Sequence, residues 1–143
     1  NKGTISVGDL RLEMQKTMQK HAGVFRNNES MQEGVKKIQD IYNNFQNVYI
    51  QDKSNIFNTE FIELLEFKNL LDNAIVTMNS ANYRKESRGA HSHDDYKERD
   101  DINWLKHTIC RLENNNVNLS TRNVNLHTLN KEVDSVPLSQ RVY

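Results

Sequence analysis

From Asn58 to Arg88 the chain contains neither proline nor glycine, the two residues that most disfavour a helix interior. Within that run Phe61, Leu64, Leu65, Leu71, Ala74, Ile75, Met78 and Ala81 recur at helical steps and form one wide apolar stripe. Phe67, Leu70 and Val76 fall off the stripe, which predicts a helix buried on two sides. Asn58 or Thr59 is suited to cap its start, and Arg88-Gly89 its end, giving a rod of roughly 40 Å. A rod of that length constrains the fold, because shorter helices bury their apolar faces best by lying along it.

Two such helices precede it. Ser6 or Asp9 can cap a first one running to about Val24, with Leu10, Met14, Met18 and Ala22 repeating every fourth residue. Gly23 and Asn27-Asn28 close it, and the two methionines read as core fillers. Ser30-Met31-Gln32-Glu33 has the form of a capping box, opening a second helix. Met31, Val35, Ile38, Tyr42, Phe45 and Val48 supply its apolar face, and Lys36, Lys37, Gln39 and Asp40 the opposite one. Gln51 to Phe57 reads as a polar link. The expectation is a mainly α protein, an antiparallel three-helix bundle in up-down-up order, like a spectrin repeat. Beyond Asn103 the period changes. Trp104, Lys106, Thr108, Cys110 and Leu112 alternate against Leu105, His107, Ile109 and Arg111, as in a strand. Asn114-Asn115-Asn116 is turn chemistry, and Val117 to Arg122 can return as the second strand of a hairpin. Residues 123–143 carry Pro137 and little periodicity, so the tail is expected to lie extended over another surface. The chain is thus read as residues 1–103, bundle and charged loop, with 104–143, hairpin and tail, packed on the same single domain.

Composition narrows the function. Hydrophobic residues make up 36% of the 143, and mean hydropathy is −0.84, so a thin core and much polar surface follow, part of it suited to burial against a partner. The formal net charge is zero, without the basic excess of a nucleic-acid binder. No apolar run approaches the roughly 18 residues of a spanning helix, so direct membrane insertion is not expected. Cys110 is the only cysteine and can form no internal disulfide, which fits a reducing compartment. The chain begins at Asn1 rather than methionine, and is expected to be an engineered piece, a processed product or a domain cut from something longer.

Chemistry-bearing residues crowd into one stretch, Ser80 to Asp101. His91, His93, Asp94 and Asp95 resemble metal ligands by type, but lack helical His pairing or a cysteine partner. Cys110 with His107 or His91 offers a thiol without a helix N-terminus to activate it. Glu98, Asp100 and Asp101 alternate with Lys97 and Arg99, the pattern of an ion-pair network rather than of acid–base catalysis. There is no Gly-x-Gly-x-x-Gly, hence no dinucleotide loop. No catalytic, cofactor-binding or metal residue is assigned. The residues instead suggest a folded-back loop. Arg88 would satisfy carbonyls at the helix end, Gly89 would supply the turn, and His91 would point toward the bundle with Arg88 and Asp95 as partners.

The order of these residues also carries a resemblance. Ala81-Asn82-Tyr83-Arg84-Lys85-Glu86-Ser87-Arg88-Gly89-Ala90-His91, continued by Asp95-Tyr96 and Glu98-Arg99-Asp100-Asp101, resembles the C-terminal helical domain of the succinate dehydrogenase and fumarate reductase flavoprotein subunit. Leu10 to Gln15, Ala22 to Arg26, Asn58-Thr59-Glu60, Glu63 to Glu66, Asn69 to Leu71, Trp104 to Thr108 and Val136-Pro137…Arg141-Val142-Tyr143 extend the likeness along nearly the whole chain. L-aspartate oxidase shares part of the block, but Lys97 to Asp101 and the Arg-Val-Tyr ending resemble the dehydrogenase more. His93 departs from the family pattern, which carries arginine there, so a bidentate ion pair is lost.

The resemblance implies a parent that oxidises succinate to fumarate through covalently bound FAD and passes electrons to an iron–sulfur subunit. The FAD would belong to the parent, not to this chain. Implied partners are the flavin-binding part of the same subunit, the iron–sulfur subunit and a flavinylation assembly factor. The implied place is peripheral, on the cytoplasmic face of a bacterial inner membrane or the mitochondrial matrix side. Arg84, Glu86, Arg88, Gly89, His91, Asp95, Arg99 and Asp100 are the structural or interface candidates. A free-standing helical adaptor derived from this domain is the alternative, with an L-aspartate oxidase domain as a third.

Overall fold

The computed structural model describes residues 3–130 and 132–139; the Arg141-Val142-Tyr143 ending lies outside the described residues. Three helices and a small antiparallel hairpin make a mainly helical protein. In chain order they are β1 (Ile5–Ser6), α1 (Val7–His21), α2 (Asn28–Asn44), a single 3-10 turn (Phe45–Asn47), β2 (Val48–Tyr49), α3 (Thr59–Tyr83), β3 (Lys106–Glu113) and β4 (Asn116–Asn123).

Helix starts follow side-chain capping. Ser6 accepts from the Asp9 N–H at 3.1 Å, and Asn58 from the Phe61 N–H at 2.8 Å. The capping box at Ser30 is not used. Asn27 caps α2 instead, taking the Ser30 N–H at 2.8 Å, because the Ser30 hydroxyl is engaged by His21 Nδ1 at 3.0 Å and Glu33 pairs with Lys37 at 2.6 Å.

The core gathers Val7, Leu10 and Met14 of α1, Ile38, Ile41 and Tyr42 of α2, Val48, and Phe67, Leu71, Ala74, Ile75 and Met78 of α3. Leu112 and Val117 pack on it from the hairpin. Gly34 permits the closest helix contact. A Cβ there would come within 2.6 Å of His21 Cβ and 2.8 Å of the Met78 sulfur, so the three helices meet where a side chain is missing.

The long helix differs from expectation at both ends. Its buried face is a single stripe, Phe67, Leu71, Ala74, Ile75, Met78 and Ala81. Phe61, Leu65 and Leu70 are exposed and Val76 half-buried, so the two-sided burial is corrected. The helix also stops at Tyr83, not Arg88. Arg84 turns extended, with φ −82° and ψ 119°, because residues 84–88 converge on a buried carboxylate that a continuing helix could not enclose.

The second helix ends at Asn44, short of the Val48 expected on its apolar face, and Val48–Tyr49 is a strand instead. Ile5 pairs with Val48 and Ser6 with Tyr49 in a short parallel ladder, and the Thr4 N–H donates to the Asn47 carbonyl at 2.9 Å. Gly3 fits there only as glycine, since a Cβ would stand 2.2 Å from that same carbonyl oxygen. The hairpin turns at Asn114 and Asn115, with φ of 51° and 65°, which asparagine tolerates and hairpins of matching twist require. After Asn123 no further strand or helix occurs among the described residues.

Candidate functional site

The charged stretch after α3 folds around Glu86, whose side chain is wholly inaccessible to solvent. Its Oε1 accepts from Arg84 Nε at 2.8 Å and Nη2 at 2.5 Å, and from Arg88 Nε at 2.8 Å. Its Oε2 accepts from Arg88 Nη2 at 3.0 Å and from the Asp100 N–H at 2.9 Å. Burial alone would raise the Glu86 pKa, but hydrogen bonds from Arg88, the Asp100 N–H and Arg84 hold it below the usual carboxylate value. The result is a carboxylate satisfied on both oxygens and ionised.

The two arginines carry the network outward. Arg84 also donates to the carbonyls of Trp104 and Lys106 and to the Thr108 hydroxyl, which ties the hairpin's first strand to the end of α3. Its guanidinium lies over the Trp104 ring at 5.6 Å, and Trp104 meets Tyr83 edge-on at 5.5 Å. Arg88 reaches Asp101 at 2.6 Å, and Asp101 pairs with Arg99 at 2.8 Å. Arg99 goes on to the Ser139 carbonyl at 2.7 Å and so fastens the tail. Asp100 accepts from the backbone of Ile102 and Asn103 and from the Asn103 amide, a local turn that aims its own N–H at Glu86. Arg88 therefore serves buried and half-buried carboxylates rather than the helix-end carbonyls expected of it.

Gly89 adopts φ 57°, the left-handed region, and the chain reverses there. Arg88 and His91 exchange backbone hydrogen bonds of 2.8 and 3.0 Å across the turn. His91 does point back toward the helices, but its ring partners are not Arg88 and Asp95. Arg26 Nη1 donates to His91 Nδ1 at 2.9 Å, which leaves the proton on Nε2, facing the Arg84 carbonyl at 3.3 Å. Arg26 also donates to the carbonyls of Ala22 and Gly23, closing the C-terminus of α1. Asp95 lies elsewhere, accepting the Asn28 N–H at 2.8 Å at the start of α2. Arg26 carried no local signal, because its partners lie beside it in sequence or sixty-five positions away.

His93 is buried, edge-on to Tyr96 at 4.8 Å. The Asp95 N–H donates to its Nδ1 at 3.2 Å, and its buried Nε2 has no hydrogen-bond partner among the described residues. His21 was missed as well, although it continues the Leu10, Met14 and Thr17 face of α1 at helical spacing. Burial lowers the pKa of His91 and of His93. Arg26 opposes charge on His91, and Lys85 opposes it on His93, where Asp95 and Asp94 work the other way. The unfolded chain therefore takes up these protons first. This part of the stability is complete above about pH 6.5 and is lost as pH falls toward the folded values. Thermal melts between about pH 8 and pH 5.5 should show a fall in Tm that the His91→Asn, His93→Gln double variant lessens. An unchanged slope in that variant would remove the histidines as its source.

No cluster of three or more His, Cys, Asp or Glu suited to a metal occurs among the described residues. A dinucleotide does not fit either. The N-termini of α1, α2 and α3 are capped by Ser6, Asn27 and Asn58, and Asp95 occupies the position at α2 that a phosphate would need. What the site does is hold four pieces of chain together, the ends of α1 and α3, the hairpin and the tail.

The architecture is three helices with a hairpin tied to the end of the third through a buried carboxylate and its arginine. Residues 11–143 match the family described as fumarate reductase flavoprotein C-term. A succinate dehydrogenase flavoprotein subunit of Rickettsia bellii is 47% identical over 142 residues, covering 99% of this chain and 24% of that protein. The mitochondrial succinate dehydrogenase [ubiquinone] flavoprotein subunit of Oryza sativa is 45% identical, again over 99% of this chain but 22% of its own length. Among solved structures, a variant of Escherichia coli quinol fumarate reductase superposes with a TM-score of 0.85 at 34% identity, covering 90% of this chain and 23% of that one. The chain belongs to the C-terminal domain family of the succinate dehydrogenase and fumarate reductase flavoproteins. It spans about a quarter of the length of the curated relatives it matches.

Proposed function

We propose that this chain is the C-terminal domain of a succinate dehydrogenase flavoprotein subunit and that its part in the enzyme is structural. The observation that carries the reading is 47% identity sustained over 99% of the chain to such a subunit. On this reading the parent oxidises succinate to fumarate through FAD held by its other part and passes electrons to an iron–sulfur subunit. Here Arg84, Glu86 and Arg88 brace the domain, Arg99 and Asp100 fix the loop, and Gly89, His91 and Asp95 shape a polar face. That face meets the flavin-binding part, the iron–sulfur subunit or a flavinylation assembly factor. The helices stand antiparallel in up-down-up order, in the manner of a spectrin repeat. Pairing of β1 with β2 supports this, as does the Lys85 to Asn28 hydrogen bond, which brings the end of α3 to the start of α2. The domain sits peripherally, on the matrix side in mitochondria or the cytoplasmic face in bacteria; no helix among the described residues is long and apolar enough to cross a membrane.

The purified chain should be colourless, without a flavin absorption band, and should not turn over succinate. The native polypeptide, weighed intact from its source, should greatly exceed 16.8 kDa. Yellow protein, or a native species of that small mass, would overturn the reading, the latter in favour of a free-standing adaptor.

A further inference from the structure

We infer that the loop before α3 and the first two turns of that helix form the surface on which the flavin-bearing part of the subunit docks. This rests on the proposed function and names the contact it needs. The surface lies away from the charged loop, at the end of the domain where α1 begins and α2 finishes, and so leaves the polar face of that loop to the iron–sulfur subunit or an assembly factor.

Ile56 is 74% exposed and Phe57 94%, and beside them Phe61, Ile62 and Leu65 are each about half exposed. Steps of one and four put the last three on one side of α3, away from the core stripe. A floppy loop would let such side chains collapse onto the protein. This loop is held open. Glu60 accepts the N–H groups of Gln51 and Asp52 at 2.8 and 2.9 Å, and Asn58 donates to the carbonyls of Asp52 and Ser54 at 3.0 Å each. The Ser54 hydroxyl donates to the Ile56 carbonyl at 3.2 Å. Phe57 itself sits at φ 53°, a conformation unfavourable for a bulky side chain, with its carbonyl taken by the Thr59 N–H at 3.0 Å. Internal hydrogen bonding thus holds two large apolar side chains outward, an arrangement that lowers the ordering cost of binding. Large apolar side chains held exposed in this way mark a contact.

The occupant follows from where the rest of a flavoprotein must attach. In the relatives this segment is the C-terminal part of a chain about four times longer. The preceding chain therefore enters through the residues equivalent to Gly3–Ser6. Here those residues pair with Asn47–Tyr49, immediately before the Gln51–Asn58 loop. The entering chain and the apolar surface share one end of the domain. Exposed Glu63 and Glu66 rim the surface, so the matching face should be apolar with basic residues at its edge.

Hydrogen exchange of residues 52–66 tests this, compared between the isolated chain and the native flavoprotein subunit purified with and without its iron–sulfur partner, flavin content being measured in parallel. Protection of at least about tenfold in the flavoprotein subunit alone is expected. A Phe57→Ser, Phe61→Ser, Ile62→Ser variant of the full subunit should lose that protection. The same substitutions should leave the circular dichroism and melt of the isolated chain unchanged. Equal exchange in every sample overturns the inference, as does protection only when the iron–sulfur subunit is present or only in self-associated isolated chain. A native polypeptide without flavin defeats the proposed function itself, which separates the two failures.

Discussion

Glu86→Ala should cost about 3–5 kcal/mol of folding stability, the largest loss expected from any single charged residue here. The substitution leaves Arg84 and Arg88 facing one another with their shared acceptor gone, and it orphans the Asp100 N–H. Glu86→Gln keeps the shape and one acceptor oxygen, and should lose less. Urea denaturation of the three proteins measures both. A Glu86→Ala variant within about 0.5 kcal/mol of the parent would mean that the carboxylate is no more than an incidental surface pair. The sign of the acid response follows as well. Because the folded pKa of Glu86 lies below its unfolded value, its contribution is present above about pH 4.5 and is lost as pH falls through the folded value, a lower window than that of the histidines.

Leu71→Ala or Ile75→Ala should each cost about 2–5 kcal/mol, since both side chains are fully buried and face α1 and α2 through the centre of the core. Leu70→Ala supplies the control. That side chain, next to Leu71 in sequence, is 42% exposed, and its loss in the isolated chain should be small. Thermal melts in which Leu70 mattered as much as Leu71 would restore a helix buried on two sides.

What the residues announced in advance was the part written in short-range spacing. The start of α3 at Asn58, the buried Leu71 and Ile75, and the hairpin around Asn114-Asn115 follow from steps of three and four, from alternation and from turn chemistry. The end of α3 did not, because Arg84, Lys85 and Glu86 are good helix formers and only the distant Asp100 and Lys106 give them a better arrangement. Ser30 misled for the same reason: its hydroxyl has a tertiary partner in His21 that local pattern does not reveal. The β1–β2 ladder joins residues some forty positions apart, and two-residue strands leave no alternation to read. In the charged stretch the crowding of residue types was legible, but their pairing and depth were not. A glutamate between arginines has the same composition whether it is solvated or sealed, and burial came from Trp104, the hairpin and the Asp100 turn closing over it. The neighbouring Asp101 bridge stays near the surface.

Asp95 closes the first turn of α2 from sixty-seven residues downstream. During synthesis that turn leaves the ribosome well before Asp95 does, so Asn28 has only water for its N–H until the loop after α3 has emerged. The first two helices meet at Gly34 through residues close in sequence, whereas the junction between them draws on residues from beyond α3. The Arg26–His91 and Asn28–Asp95 contacts both tie the α1–α2 junction to the loop that follows α3. A chain truncated before residue 95 should therefore be cut by proteases at that junction sooner than the full chain.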